Sequence, residues 1–363
     1  MKKVVTFGEV MVRLAPSGNY RFEQVCPGGM DLTFGGAESS VAASVAMFGG
    51  ASRYVTALPE NALTEAFLRQ MRGFQVDVSS VLRRPEGRFG VYYVETGANQ
   101  RPSRVIYDRE HSAVSICPGD AYDWDAIIAD AQWLHISGIT LAISEAAAAA
   151  AQMAAEKAQA AGVKVSCDLN FRKNLWRWRP GTDAQSLARS VMPSFLEQVN
   201  VVIGNEEDAA DVLDIHAGET DVHAGSLQVD RYPEVARQIA SRFSKVDTVA
   251  ITLRESLSAS HNNWGAMLYD GNQDAAVFAP MNGEQYQPYE IRNIVDRVGG
   301  GDSFAAGLIY AMSCGDYKSR QEQVDFAVAA SCLAHSIKGD FNYNSGKEVE
   351  ALMRGNASGR VQR

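Results

Sequence analysis

No stretch of this chain concentrates positive charge. Its 34 Lys and Arg are outnumbered by 43 Asp and Glu, leaving a formal charge of −9. They form no basic stripe of the kind that meets a phosphate backbone, so no nucleic-acid partner is expected. Long apolar runs are missing as well. The N-terminal "MKKVVTFGEVMVRL" offers only a short apolar run before Gly8 and Glu9. That is too little for a secretory leader and reads as a first buried strand. No window approaches the ~20 apolar residues of a membrane span, so no membrane association is expected. Cysteine is scarce: Cys26, Cys117, Cys167, Cys314 and Cys332 are scattered, odd in number and never spaced as CxxC. A disulfide framework or a structural zinc is thereby disfavoured, and a reducing, cytoplasmic setting is expected. Charged residues at 21% and only 11 prolines speak against disorder.

What is present is alternation. The 363 residues, 46% of them hydrophobic, suffice for one large α/β domain with additions, or for two domains. β-rich runs such as "KVVTFG" (3–8), "RYVTAL" (53–58), "QWLHISG" (132–138), "VKVSCDLN" (163–170), "VNVVIG" (199–204) and "VDTVAITL" (246–253) alternate with helical patterns. The helical patterns include "AESSVAASVAMFG" (37–49), "ALTEAFLRQMRGF" (62–74) and the alanine-rich 144–162, read as an ordinary exposed helix. This predicts a mostly parallel sheet with helices on both faces. Two regions break the rhythm. Residues 88–109 read as a hairpin around a Gly/Asn/Pro turn, and residues 12–34 are irregular and turn-rich; together they predict a small appended β-sheet. Residues 214–231, polar and without periodicity, read as a surface loop.

The segment "VDRVGGGDSFAAGLIYAM" (295–312) sets three glycines directly before Asp302 and a small, apolar helix after it. Glycines lack a Cβ, so their amides can converge on a ligand, and the following helix adds its unpaired N–H groups and positive dipole end. Such a turn suits phosphate. A carboxylate placed there either caps the helix or has a chemical task. No GxxxxGK[ST] loop is present, the turn lies too late in the chain for a dinucleotide fingerprint, and HRD and DFG are both absent.

The stretch "DRVGGGDSFAAGL" resembles the C-terminal signature of the ribokinase family of sugar kinases. "FGGAESSVAASVAMFGG" (34–50) resembles that family's sugar-contacting diglycine motif, "IGNEEDA" (203–209) its NxxE magnesium motif, and "VAITLRESLSA" (249–259) its nucleotide-side strand and turn. The four matches occur in the family's order and span most of the chain. Gly300 and Arg297 depart from the commoner Ala and Thr or Asn, and Asp208 ends the NxxE motif with a shorter arm. The resemblance implies a ribokinase-like α/β kinase domain over 1–353, lid segments at about 12–34 and 88–117, and a C-terminal tail at 354–363. It implies that Asp302 is the general base, that the amides of Gly299, Gly300, Gly301 and Asp302 form the anion hole, and that MgATP is the donor, with a monovalent cation in some members. A loose phosphoryl-transfer transition state asks little of the base, and an unperturbed Asp at ~3.9 is ionised at neutral pH. Asn205, Thr252, Arg254, Gly299 and Gly301 are then the nucleotide-side residues. Asn205, Glu206 and Asp208 are the magnesium candidates, with Glu207 an alternative carboxylate.

On the acceptor side, "VIYDREHSA" (105–113), "LHISGI" (134–139), "CDLNFRKNLW" (167–176) and "IKGDFN" (337–342) resemble the branch that phosphorylates 2-keto-3-deoxygluconate. That match implies that Gly35 and Gly36 hold sugar hydroxyls and that Tyr92, Tyr107, Ile139 and Asp340 shape the pocket. Arg109 and Arg172 would read a carboxylate, a task for which the planar guanidinium suits better than an ammonium. The bland readings are a solvated Arg172 stacking on Trp176 or Trp178, and an Arg109 paired with Asp108 or Glu110. Only one of Tyr92 and Tyr93 can face the ligand. His135 and His335 read as core residues. The family's β-sheet lid, often shared between two subunits, implies a homo-oligomer. Two readings stay open beside the sugar-acid kinase: a kinase of fructose or of a nucleoside on the same fold, and a non-catalytic sugar or nucleotide sensor.

Overall fold

A computed structural model describes residues 2–216 and 231–355. Most of the 214–231 segment and of the expected C-terminal tail lie outside the described residues. The chain opens with β1 (Lys3–Phe7), β2 (Met11–Ala15), β3 (Asp31–Gly35), β4 (Ser52–Val55), β5 (Ala57–Pro59), β6 (Leu82–Arg84), β7 (Gly90–Glu95) and β8 (Arg104–Asp108). It continues with β9 (Ala131–Ser137), β10 (Lys164–Asp168), β11 (Val201–Gly204), β12 (Thr248–Ser258), β13 (His261–Asp270) and β14 (Ala275–Ala279). The last short strands are β15 (Met281–Asn282), β16 (Gln285–Tyr286) and β17 (Tyr289–Arg292).

The main sheet runs β14-β13-β12-β11-β10-β9-β1-β4, with β17 also on β13. From β4 to β12 every pairing is parallel, and β13, β14 and β17 join antiparallel. Val4 and Val5 explain why both faces are covered. As neighbours in one strand they point oppositely, and each is buried in a different core cluster. The helix Gly300–Cys314 packs Phe304, Leu308 and Ile309 into one of these clusters, alongside the helix Arg320–Ala334. The alanine-rich helix Glu145–Ala160 is not an ordinary exposed one. Ala147, Ala150, Ala151, Ala154, Ala155 and Ala158 form a fully buried stripe, because a methyl side chain lets the helix lie close on its neighbours.

The second sheet is the expected appended one, ordered β3-β2-β7-β8. The turn-rich 12–34 segment thus contributes a strand at each end. Met11, Ala15, Tyr92 and Val94 bury one face together, whereas all five residues of β8 are exposed. Val105 and Tyr107 on this strand are 41% and 45% accessible.

The chain leaves β1 for β4 on one side and returns to β9 on the other. That reversal opens a crevice beyond the carboxyl ends of the strands, where open α/β sheets take their ligands. Phe304, fully buried and two residues past Asp302, seats the helix that faces this crevice. Phe304→Ala is expected to lose about 3–5 kcal/mol of unfolding free energy; chemical denaturation followed by circular dichroism measures it.

Candidate active site

The crevice is a cavity of about 1000 Å³ roofed by the small sheet. Its walls come from the ends of successive strands. Glu9 follows β1, Asp168 and Asn170 close β10, Gly204 and Asn205 close β11, and Thr252 and Arg254 lie along β12. The turn Val298–Gly299 and the first residues of the helix Gly300–Cys314 complete it.

The three glycines have three different physical reasons. Gly299 is the N-cap with φ +85°, a left-handed backbone, and a Cβ there would sit 2.5 Å from the Asp340 carbonyl oxygen. A Cβ on Gly300 would lie 2.8 Å from the His335 ring. Gly301 borders the cavity and has no protein atom within 4 Å of a built Cβ. Only Gly301 is therefore unexplained by packing, which fits a backbone that a ligand must approach. The first bond of the helix runs from Ser303 N–H to Gly299 O. Among the described residues the N–H groups of Gly300, Gly301 and Asp302 have no acceptor, the arrangement that stabilises an anion at a helix start.

Asp302 does not cap this helix: the N-cap is Gly299 and makes no side-chain bond. As a residue it is half-buried because it borders the cavity, yet its carboxyl is desolvated. Burial first, then the carboxyls of Asp340 and Glu38, push it up to about 7, against a smaller opposing effect of Arg172. The unperturbed value expected from sequence is thereby corrected. A carboxyl poised near neutrality is a stronger base than a free aspartate and still ionises under working conditions.

Asp168, from the end of β10, was not singled out from sequence although it lies in the segment "CDLNFRKNLW". It is buried and raised well above the ordinary carboxylate range by desolvation, then by Asp208 and Asp302. Asp208 is raised mainly by burial. Its two oxygens accept from the backbone N–H groups of Phe171 at 2.9 Å and Asn205 at 3.1 Å, so it holds the turn rather than reaching out. Asn205 returns the bond by accepting from Asp208 N–H at 2.8 Å. The Glu206 side chain lies outside the described residues, and Glu207 is exposed on the cavity wall.

On the acceptor side, alternation decides between the tyrosines. Tyr92 turns inward, its hydroxyl 2.6 Å from both Asp340 oxygens, while Tyr93 packs on Phe22. Tyr107 stacks on Tyr92 with ring centroids 6.1 Å apart. Gly35 is a packing glycine, its face filled by the Asp340 carboxylate, whereas Gly36 borders the cavity. Arg109 pairs with neither Asp108 nor Glu110. Its Nε donates to Glu9 at 2.7 Å, a second bond runs from Nη2, and Asp108 pairs with Arg88 instead. Glu9 thus already balances the Arg109 charge. Arg172 lines the cavity with one bond to a protein acceptor, from Nη1 to the Phe171 carbonyl at 3.1 Å. Among the described residues it has no carboxylate partner within salt-bridge distance, so its guanidinium is available to a ligand anion. Arg297, at the departure from the family pattern, clamps the β12–β13 hairpin through the Ser258 carbonyl and Asn262. His135 and His335 are buried core residues, each lowered chiefly by burial.

A desolvated carboxylate, an anion-binding helix start and a deep cleft at a strand switch point define a phosphotransferase-type site on a ribokinase-like α/β fold. The chain belongs to the pfkB family carbohydrate kinases, whose family profile matches residues 1–342. It is 40% identical to the 2-dehydro-3-deoxygluconokinase of Thermotoga maritima, with a TM-score of 0.87, over 98% of this chain and 100% of that one. It is 28% identical over 357 residues to the 2-dehydro-3-deoxygalactonokinase of Haloferax volcanii, covering 98% of both chains. The 2-dehydro-3-deoxygluconokinase of Thermoproteus tenax is 27% identical over 88% of this chain and 85% of its own length.

As the general base proposed below, Asp302 must be ionised to accept a proton, so activity should be lost as pH falls through its folded value. The pH dependence of kcat/KM is expected to show an acidic limb centred near 7, falling about tenfold per pH unit below it. A profile flat down to pH 5 would show that the group is not perturbed.

Proposed function

We propose that this chain transfers the γ-phosphoryl group of ATP to a hydroxyl of 2-keto-3-deoxygluconate, giving the 6-phospho sugar acid. The observation that carries the reading is the pairing of an uncapped, desolvated Asp302 with a guanidinium, Arg172, that lacks a carboxylate partner in the same cleft. The activities named for the relatives support it.

In the proposed step the acceptor hydroxyl oxygen attacks the γ-phosphorus, its proton passes to the Asp302 carboxylate, and the bond to the ADP oxygen breaks. The N–H groups of Gly300, Gly301 and Asp302 meet the charge on the transferring phosphoryl oxygens; one such donor is worth roughly 3–4 kcal/mol of barrier. Arg172 holds the sugar-acid carboxylate, and Tyr92 with Asp340 receives its hydroxyls. Thr252 and Arg254 flank the triphosphate. The small sheet roofs the acceptor and keeps out water that would hydrolyse ATP.

Magnesium fits the donor set. Burial and neighbouring carboxyls raise Asp168 and Asp302 against Arg172, and burial raises Asp208 against two backbone N–H bonds and Arg172, so the cleft carries more carboxylate than it balances. Among the described residues no cluster of three metal-ligating side chains forms. This matches an ion that keeps its waters and leans on one or two carboxylates plus substrate phosphates. Asp168 and Glu207 would hold it through water, and bound there it would offset negative charge on the transferring phosphates. The monovalent-cation requirement of some family members rests on the resemblance alone.

We take the exposed strand β8, with Val105, Ile106 and Tyr107 accessible, as the surface through which two lids pair in a homodimer. All five cysteines are free, in keeping with a cytoplasmic enzyme, and no helix among the described residues is long and apolar enough to cross a membrane.

An ADP-release screen with MgATP against 2-keto-3-deoxygluconate, its galactonate epimer, fructose and nucleosides tests the substrate. The gluconate acid is expected to have the highest kcat/KM. Preference for fructose or a nucleoside would move the acceptor to that class, and no turnover of any would point to a sensor. Asp302→Asn should lower kcat about 10²–10⁴-fold. Arg172→Gln removes a charge-assisted contact of about 1.5–3 kcal/mol, so it should raise acceptor KM about 10–100-fold while leaving ATP KM unchanged.

A further inference from the structure

One buried cation near the cleft has no part in the step above. Arg13 sits at the centre of β2, 2% exposed. Strand register sets it beside Tyr92 on β7, and it shares the inward face with Met11 and Ala15. Its two terminal nitrogens go to different carboxylates: Nη1 donates to Asp340 at 2.8 Å and Nη2 to Asp296 at 2.5 Å. Both acceptors are buried. They lie 327 and 283 residues further along the chain.

Each carboxylate has a second engagement. Asp340 also accepts from the Tyr92 hydroxyl; its carboxylate fills the space in front of Gly35, and its carbonyl oxygen fills the space in front of Gly299. Asp296 accepts from Val298 N–H and Gly339 N–H, both at 3.1 Å. It therefore braces the segment entering the glycine turn and the loop that presents Asp340. A chain of direct contacts runs from the lid strand, through one guanidinium, to the acceptor-side aspartate and to the turn carrying the anion hole. A lysine could supply the charge but not the planar fork that spans two carboxylates. Leaving both unpaired at this depth would be strongly unfavourable.

We propose that Arg13 is a positioning residue of the phosphoryl transfer. It orients the Asp340 carboxylate toward the acceptor, and through Asp296 it holds the glycine turn in register with the closed lid. The proposal rests on the reading of Asp340 as an acceptor-side group. Arg13 touches no reacting atom, so its effect should appear as a division between kinetic parameters, not as a uniform loss.

The test compares Arg13→Lys, Arg13→Gln and Asp340→Asn, each with thermal unfolding to establish the folded fraction, and steady-state kinetics in both substrates per folded enzyme. Arg13→Lys is expected to fold, to lose kcat about 10²-fold through misplacement of the turn, and to raise acceptor KM about tenfold with ATP KM within twofold of the parent. Arg13→Gln should show the same division more strongly. Unchanged kcat and acceptor KM in a folded Arg13 variant would overturn the proposal. So would equal rises in both KM values, or failure of both variants to fold, which would make Arg13 a purely structural ion pair. Asp340→Asn separates the two ideas. If it leaves acceptor KM untouched, the acceptor reading of Asp340 fails and the proposal with it. If it raises acceptor KM while Arg13→Lys does not, only the role of Arg13 fails.

Discussion

A carboxyl group held out of water at the start of a helix is the constraint around which the cleft is arranged. Burial, Asp340 and Glu38 all oppose ionisation of Asp302, and the approach of Arg172 only partly offsets them. The protein tolerates this because the seat is prepared on the other side. The helix behind Asp302 is anchored by Phe304, Leu308 and Ile309 in a dry core, and its first amides stay unpaired and point at the same space. In the proposed mechanism, the group that accepts the proton and the dipoles that stabilise the migrating charge are thus fixed by one rigid element.

Around that element the cleft is an excess of negative charge with selective compensation. Glu9 neutralises Arg109 and Asp108 neutralises Arg88. Arg13 is shared by two aspartates. Arg172 and the nucleotide-side Arg254 line the same cavity with no carboxylate within salt-bridge distance among the described residues. Under the proposed function, anions meet those guanidiniums and a cation sits near Asp168. A MgATP donor and a sugar-acid acceptor supply both. Glu38 adds a further layer. Its Oε1 accepts from the Ser137 N–H and hydroxyl and from Thr140 while fully buried, tying the helix after the diglycine to the end of β9 and placing a second carboxyl within reach of Asp302.

The small sheet is covered differently from the main sheet. β1, β9 and β10 are buried on both faces; in the small sheet β2 is covered on both faces, by Phe67 and Leu68 on the Val12 side and by Tyr92 and Val94 on the Met11 side, β7 is mostly buried, and β8 is exposed throughout. The small sheet is therefore anchored to the body twice, by Val12, Phe34 and Phe89 in a shared apolar core and by the polar links of Arg13 and Tyr92 to Asp340.

Much of this was legible in the chain as written. The rhythm of β-rich and helical segments pointed to the parallel sheet, the broken regions at 12–34 and 88–109 to the small second sheet, and the glycine turn before Asp302 to a helix start, because such preferences act over a few residues. Charge balance was not legible. The partner of Arg109 is Glu9, a hundred residues away, and the partners of Arg13 lie near the far end of the chain. The altered proton affinity of Asp302 and the standing of Asp168 depend on which carboxyls the fold gathers and how much water it excludes. Local sequence determined which groups were available and on which elements they ride; tertiary structure alone decided which charges meet, since Coulomb energy and desolvation depend on distance and depth, not on order along the chain.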